Sequence, residues 1–272
     1  MNLLSIGGSD PSGGAGIQSD IKTFSKFNAH GLTVVTAITG QNTTNFGMVE
    51  PVSKKILENQ LRTIIEDFKI DGLIITPPLS DMAEFLQNLD NYQIEYSVIA
   101  PSTLNTESLY VSSNDYEAAF TLTSQIIKHG HKDIGFIKGH PKHSASHLRF
   151  NGYLDAMKSH GIENNDQWIK QGNFSFKSGF DAGVEIFHSE KIPTAISTAF
   201  FASNDSMAAG IMKSAQMKGM KVPNDLSLAG FDDSPIAHQI WPALTTVKQP
   251  VEKMAAHAAK ILIAKFDGLA EQ

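Results

Sequence analysis

Short apolar runs alternate with longer amphipathic ones along almost the whole chain. The runs LLSI (3–6), LTVVTAIT (32–39), GLIIT (72–76), YSVIA (96–100), IGFIK (134–138), TAFFAS (198–203) and LSLAGF (226–231) are continuous. Strands covered on both faces have this pattern, so the runs predict buried strands of parallel sheets. Helical periods lie between them. In SKKILENQLRTIIEDF (53–68), Ile56, Leu57, Leu61, Ile64, Ile65 and Phe68 share one face, and Ser53 is placed to cap the N-terminus. Regular strand–helix alternation predicts an α/β fold with right-handed crossovers.

Two polar connections interrupt the alternation, SLYVSSNDYEAAF (108–120) and TTVKQPVEK (245–253). A chain that crosses twice between lobes needs two such segments. The expected organisation is therefore two-lobed. Residues 1–112 plus 247–272 form one lobe and 113–246 the other. Strands 3–6, 32–39, 72–76 and 96–100 share the first lobe's sheet.

Composition narrows the function classes. The 272 residues are 41% hydrophobic and 18% charged, with a net charge of −6. No basic block offers a footprint for nucleic acid, so none is expected as a partner. The chain has no cysteine, which removes disulfides, thiolate metal sites and a cysteine nucleophile. No apolar run approaches the ~20 residues of a membrane span, and no basic-then-apolar leader opens the chain, so a cytoplasmic location without membrane partners is expected.

GGSDPSGGAGIQSD (7–20) follows a predicted strand and opens a helix. Its glycines allow a tight turn that aims N–H groups at an anion or polar ligand, although a turn without any ligand fits the spacing equally well. No Gly-Lys-Ser/Thr follows, so it is not a Walker A loop. The stretch IGGSDPSGGAGIQSDIKTFSKFNAHGLTVVTAITGQNT resembles the start of hydroxymethylpyrimidine (phosphate) kinases of the ribokinase-like fold, over about residues 1–70. That resemblance implies Gly8, Ala15, Asp20 and Gln41 around a pyrimidine. The kinase's nucleotide segment and late anion hole with the catalytic base have no counterpart here, so no phosphoryl transfer, catalytic residue or cofactor is expected.

From Asp71 to about residue 268 the text is different. DGLIITPPLSD, IIKHGHKDIGFIKGHPKHSASHLRFNGYLDAM and FASNDSMAAGIMKSAQMKGMKVPNDLSLAGFDDSPIAHQIWPALTTVKQPVEKM are similar to the ligand-binding core of LacI/GalR-type transcriptional repressors. Such cores share the periplasmic sugar-binding (type I) fold. The resemblance implies a hydroxyl-binding ring of Arg149, Asn204, Asp205, Asp232 and Gln249, with Phe174 as a stacking face. Three of them have a plainer reading: Asp205 as a cap of the following helix, Asp232 as a turn cap, Arg149 as a surface ion pair. His140, His143 and His147 are spaced for convergence only on a helix, and no carboxylate or cysteine joins them, so no metal site is expected.

Taken together, the two resemblances predict an engineered chimera joined inside FKIDGLII, the first βαβα of the N-terminal lobe coming from the ribokinase-like fold. The expected outcome is a non-enzymatic scaffold with a vestigial pocket, binding a sugar, polyol or pyrimidine no tighter than about millimolar. The second reading is a working binding module for a sugar-like or pyrimidine-like ligand. Oligomeric state is left open.

Overall fold

The structure is a computed structural model that describes residues 1–11, 13, 16–41, 46–77, 79–91, 93–101, 109–187 and 199–266. The chain divides into two compact units, Met1–Ser113 with Pro250–Gln272, and Asn114–Gln249.

The first unit contains strands β1 (Asn2–Ser9), β2 (His30–Gln41), β3 (Phe46–Pro51), β4 (Gly72–Ile75), β5 (Glu95–Ile99) and β6 (Leu109–Val111). Its helices are α1 (Gly16–Lys26), α2 (Lys54–Asp67), α3 (Ala83–Asn91) and, returning late in the chain, α9 (Val251–Phe266). The sheet order is β3-β2-β1-β4-β5-β6. All neighbours are parallel except β2 and β3, which are antiparallel. The strands expected in this sheet pair in parallel; β3, which no apolar run announced, joins the edge antiparallel to β2, the connection at 42–45 being too short for a crossover. Leu4, Leu32, Val34, Leu73, Ile75 and Val98 pack on one face beneath α2 and α3. Leu3 faces the other way, with Phe24 of α1 and Leu262 of α9.

Helix α2 starts where its cap predicts, since the Ser53 hydroxyl accepts from the Ile56 N–H at 3.3 Å. Its buried stripe is narrower than the sequence pattern suggests. Leu57, Leu61 and Ile64 reach the core, while Ile56 and Ile65 are exposed. Phe68 lies past the helix end and stacks on His30 with ring centroids 6.0 Å apart.

The second unit has β7 (Ile134–Lys138), β8 (Ile169–Gln171), β9 (Ala199–Ala202), β10 (Ser227–Asp232) and β11 (Thr245–Lys248) in the order β11-β10-β9-β7-β8, all parallel. Helices α4 (Asp115–Lys128) and α5 (Ser144–Ser159) cover one face over Phe136, Phe201 and Phe231. Helices α6 (Phe176–Phe187), α7 (Asp205–Met217) and the short α8 (Pro235–Gln239) belong to the other face, over Ile137, Phe200 and Leu228. A Cβ on Gly179 would lie 2.2 Å from the Met207 carbonyl oxygen, and one on Gly210 would lie 2.3 Å from that of Phe176. Only glycine lets these two backbones approach so closely.

Candidate functional site

The C-terminal ends of β7, β9 and β10 carry the polar side chains of the second unit. Ligands of open α/β sheets bind at this end, where loops leave the strands. Arg149 of α5 is the centre. It is 4% exposed, so the reading as a surface ion pair is wrong. Its Nε donates to Asp115 at 2.9 Å, and its Nη1 donates to the Ser203 carbonyl at 2.5 Å and lies 3.3 Å from Asp232. The guanidinium plane covers the Phe231 ring, Cζ lying 3.7 Å from the centroid, and Phe174 stands 6.0 Å away. Such sandwiching holds the planar fork in one orientation.

Asp232 ends β10 in a left-handed conformation, φ 109°, and Asp233 follows at φ 57°. Backbone of this kind costs energy for a residue with a Cβ and concentrates at functional sites. Burial, together with the neighbouring charges of Asp205 and Asp115, pushes the Asp232 carboxyl up to about 7 against the pull of Arg149. Gln249 contributes its N–H to the Asp232 carbonyl at 3.3 Å.

Phe174 also has a left-handed backbone, φ 70°, and its ring occupies the space a side chain at Gly139 would need. The His143 ring tilts against Phe174 at 5.6 Å, and His140 lies 4.9 Å beyond it. These rings form an aromatic wall at the end of β7. Among the described residues, no three His, Cys, Asp or Glu side chains are grouped to hold a metal.

Asn204 and Asp205 have other tasks. Asn204 caps α7: its side-chain oxygen accepts from the Met207 N–H at 3.0 Å and its amide donates to the Phe174 carbonyl at 2.9 Å. Asp205 is sealed from solvent and accepts from Ser234 N, Ser234 Oγ and Thr246 Oγ1 at 2.7, 2.9 and 2.5 Å. It is not the helix cap, a task that falls to Asn204, and both of its oxygens accept bonds from within the fold. It ties β11 and the turn after β10 to the start of α7. Burial raises its carboxyl above the ordinary range.

The kinase-implied set divides differently. Gly8 lies in β1 at a register shift against β2. Asp20 accepts from the Ser5 hydroxyl at 2.5 Å under the sheet, and burial raises its carboxyl. Among the described residues, its hydrogen-bonding side-chain partner is Ser5 of β1. Ala15 and the side chain of Gln41 lie outside the described residues. The loop does need glycine at Gly16, whose φ is +58° and where a Cβ would meet the Gly8 carbonyl at 2.3 Å.

Sequence reasoning missed Asp115, Ser203 and Phe231. Asp115 stands in SSNDYEAAF, which reads as a polar turn into a helix. Only the fold shows that its carboxylate turns inward.

A family model described as "Periplasmic binding protein-like domain" matches residues 123–272, more than half of the chain. The chain belongs to that family. A second model, phosphomethylpyrimidine kinase, matches residues 10–130. Among curated relatives, the HTH-type transcriptional repressor PurR of Vibrio campbellii (strain ATCC BAA-1116) is 31% identical over 205 residues, 75% of this chain and 60% of the relative. The probable HTH-type transcriptional repressor ExuR of Bacillus subtilis (strain 168) is 32% identical over 200 residues, 74% of this chain and 59% of the relative. The chain thus spans about three fifths of the length of the curated relatives it matches. Among solved structures, a transcriptional regulator CelR–cellobiose complex superposes with TM-score 0.79 at 22% identity, covering 100% of this chain and 79% of that one. A LacI-family regulatory protein from Chloroflexus aggregans gives 0.80 at 19%, covering 100% and 92%. These two show the fold, a two-lobed LacI-type core.

Two expectations are overturned. An engineered scaffold without function does not fit, because natural repressors from several bacteria match about three quarters of the chain and regulator structures cover all of it, first seventy residues included. The expectation of no nucleic-acid partner falls with it, since the relatives are helix-turn-helix repressors by name. Net charge was a poor guide because about two fifths of each relative lies outside the match, and the charge of the matched part says nothing of what that remainder binds.

Proposed function

We propose that the periplasmic-binding-like core of this chain is the effector-binding part of a LacI/GalR-type transcriptional regulator, non-enzymatic and acting in the cytoplasm. Its second unit would hold a small sugar-like ligand against Arg149, Asp232 and Phe174. The observation that carries this reading is Arg149 itself. A guanidinium is buried at the strand ends, fixed by Asp115 and Phe231, with its remaining edge beside Asp232. Bidentate donors next to a carboxylate, with an aromatic face nearby, are what a polyhydroxyl ligand requires. The cellobiose complex of a structural neighbour supports a sugar as the first class to try.

Nucleic acid is the proposed partner of the whole protein, by likeness to its repressor relatives. The kinase likeness of the first segment is read as shared ancestry of sequence, supported by the match over 10–130. No observation of Asp20 or Gly8 favours a pyrimidine ligand.

A thermal-shift screen with monosaccharides, nucleosides and hydroxymethylpyrimidine tests the site, because a ligand of the folded state raises the melting temperature by mass action. A hit is followed by calorimetry. Arg149→Lys and Phe174→Ala should each weaken binding at least about tenfold. A hit that ignores both substitutions places the ligand elsewhere and ends this reading.

A further inference from the structure

The carboxylates around Arg149 outnumber it. From α4, Asp115 takes the guanidinium Nε at 2.9 Å; from β10, Asp232 stands 3.3 Å from Nη1. Asp205, at the start of α7, adds a third carboxyl whose charge is felt at Asp232. Asp233, the next residue, is engaged by His238 of α8 at 2.8 Å and Lys248 of β11 at 3.4 Å. His143 and His140 stand on the Phe174 side of the same strand ends. Arg149 contacts both Asp115 and Asp232, and its shorter contact goes to Asp115.

The three carboxyls are not equivalent. Asp115 is buried and bonded to Arg149, and Asp205 has three donors on its two oxygens. Asp232 has one long contact and a side chain 34% exposed. It is the member that faces out and the one least supplied with donors. A further negative charge beside Asp115 and Asp205 is unfavourable in a site of low dielectric.

We propose that Asp232 holds a proton in the empty site and releases it when an uncharged ligand donates an O–H or N–H to it, so that the site rejects anionic ligands and binds more tightly as pH rises. This rests on the ligand site proposed above and adds its charge class. The proton leaves to solvent, and the ligand's donor replaces it on the carboxylate. An anionic ligand would add a further negative charge to the group, whatever hydroxyls it brought to Asp232. The sign follows: the ionised form binds, so affinity climbs by up to about tenfold per pH unit below the Asp232 midpoint and levels off above it.

Carboxyl-detected NMR on the ligand-free chain, with the Asp232 resonance assigned through its own Cβ, reads the first part without any substitution. The expected midpoint is near neutrality, against about 3.9 for an ordinary aspartate. Asp115→Asn should lower it, by removing a like charge and freeing Arg149. A midpoint in the ordinary range overturns the proposal. The second part uses D-galactose, D-ribose and inosine against D-galacturonate and ribose 5-phosphate, titrated calorimetrically in two buffers of different ionisation enthalpy. A binding neutral probe should release a proton, and the release should vanish in Asp232→Asn but persist in His143→Gln and His140→Gln. Each anionic counterpart should bind at least tenfold more weakly. Proton release that follows the histidines, binding without release, or tighter binding of an anion overturns the inference while leaving the site intact. Failure of every probe to bind overturns the ligand site itself, and the ligand part of this inference with it.

Discussion

Arg149→Met removes the cation that Asp115 and Asp232 both contact and keeps most of its volume. Asp115 then loses its guanidinium bond and Asp232 its contact to Nη1. The Asp115 side chain is 6% exposed, so its charge cannot be handed to water. Removing one member of a buried pair costs roughly 3–5 kcal/mol, mostly as the desolvation of the charge left behind. Both tryptophans lie in the second unit: Trp168 is 5% exposed and Trp241 86%. The emission change on unfolding therefore comes from Trp168 and reports that unit alone. With a urea slope of about 2 kcal/mol per molar, the midpoint should fall by about 2 M. Asp115→Asn should cost only about 1 kcal/mol, because Arg149 keeps Asp232 and the Ser203 carbonyl. The double variant should be more stable than the two losses added together, by about 2 kcal/mol, since position 115 no longer carries the buried charge that had faced Arg149. The deficit of Arg149→Met should also shrink toward pH 4. Without the guanidinium's pull the Asp232 carboxyl, already raised by burial, rises further, so the stability it contributes is present at low pH and lost as pH rises. A midpoint shift below about 0.5 M, or strict additivity, would refute the account of Arg149 as a buried, paired charge.

Asp232 titrates near 7, above its unfolded value, so its contribution to stability is full below about pH 4 and lost as pH rises through about 7; Asp232→Asn should flatten that part of the urea-midpoint profile. Asp205→Ala strands three donors and should cost about 3 kcal/mol in the same assay, whereas Thr246→Val removes one and should cost about 1 kcal/mol. Gly179→Ala drives a Cβ into the Met207 backbone and should lower the thermal midpoint by more than about 5 °C, a shift worth at least about 2 kcal/mol. A neutral result there would mean that α6 and α7 do not meet through backbone.

The buried strands were legible in the sequence, and the edges were not. LLSI, GLIIT, IGFIK and LSLAGF carry continuous apolar runs because both faces of a central parallel strand are covered, and each is a strand. Strands β6, β8 and β11 have three or four residues and partly exposed faces, so no run distinguishes them. The helix pattern at 53–68 overstated its own burial, since Ile56 and Ile65 satisfy a 3.6-residue period but find no neighbour to pack on. At the site, motif resemblance named Arg149, Phe174 and Asp232 by residue type. It could not tell which atoms are spent within the protein, because that depends on Asp115, Ser203, Ser234 and Thr246, distant in sequence and ordinary in composition.

That distinction divides the named residues by physical task. The polar atoms of Asn204 are used by Met207 N and the Phe174 carbonyl, and those of Asp205 by Ser234 and Thr246. These two residues fix where the strand ends and the Phe174 loop sit, and substituting them would alter a ligand site only by moving it. Arg149 presents five N–H donors, and the bonds to Asp115, Ser203 and Asp232 among the described residues engage only Nε and Nη1. Asp232 has no side-chain partner there besides Arg149. Unspent hydrogen-bonding capacity at a strand end is costly unless something uses it, and here it is confined to one guanidinium edge and the adjoining carboxyl. On the proposed reading of the site, the chemistry a ligand would meet is accordingly narrow: it would bring a donor for Asp232, an acceptor for Arg149, and a flat face for Phe174.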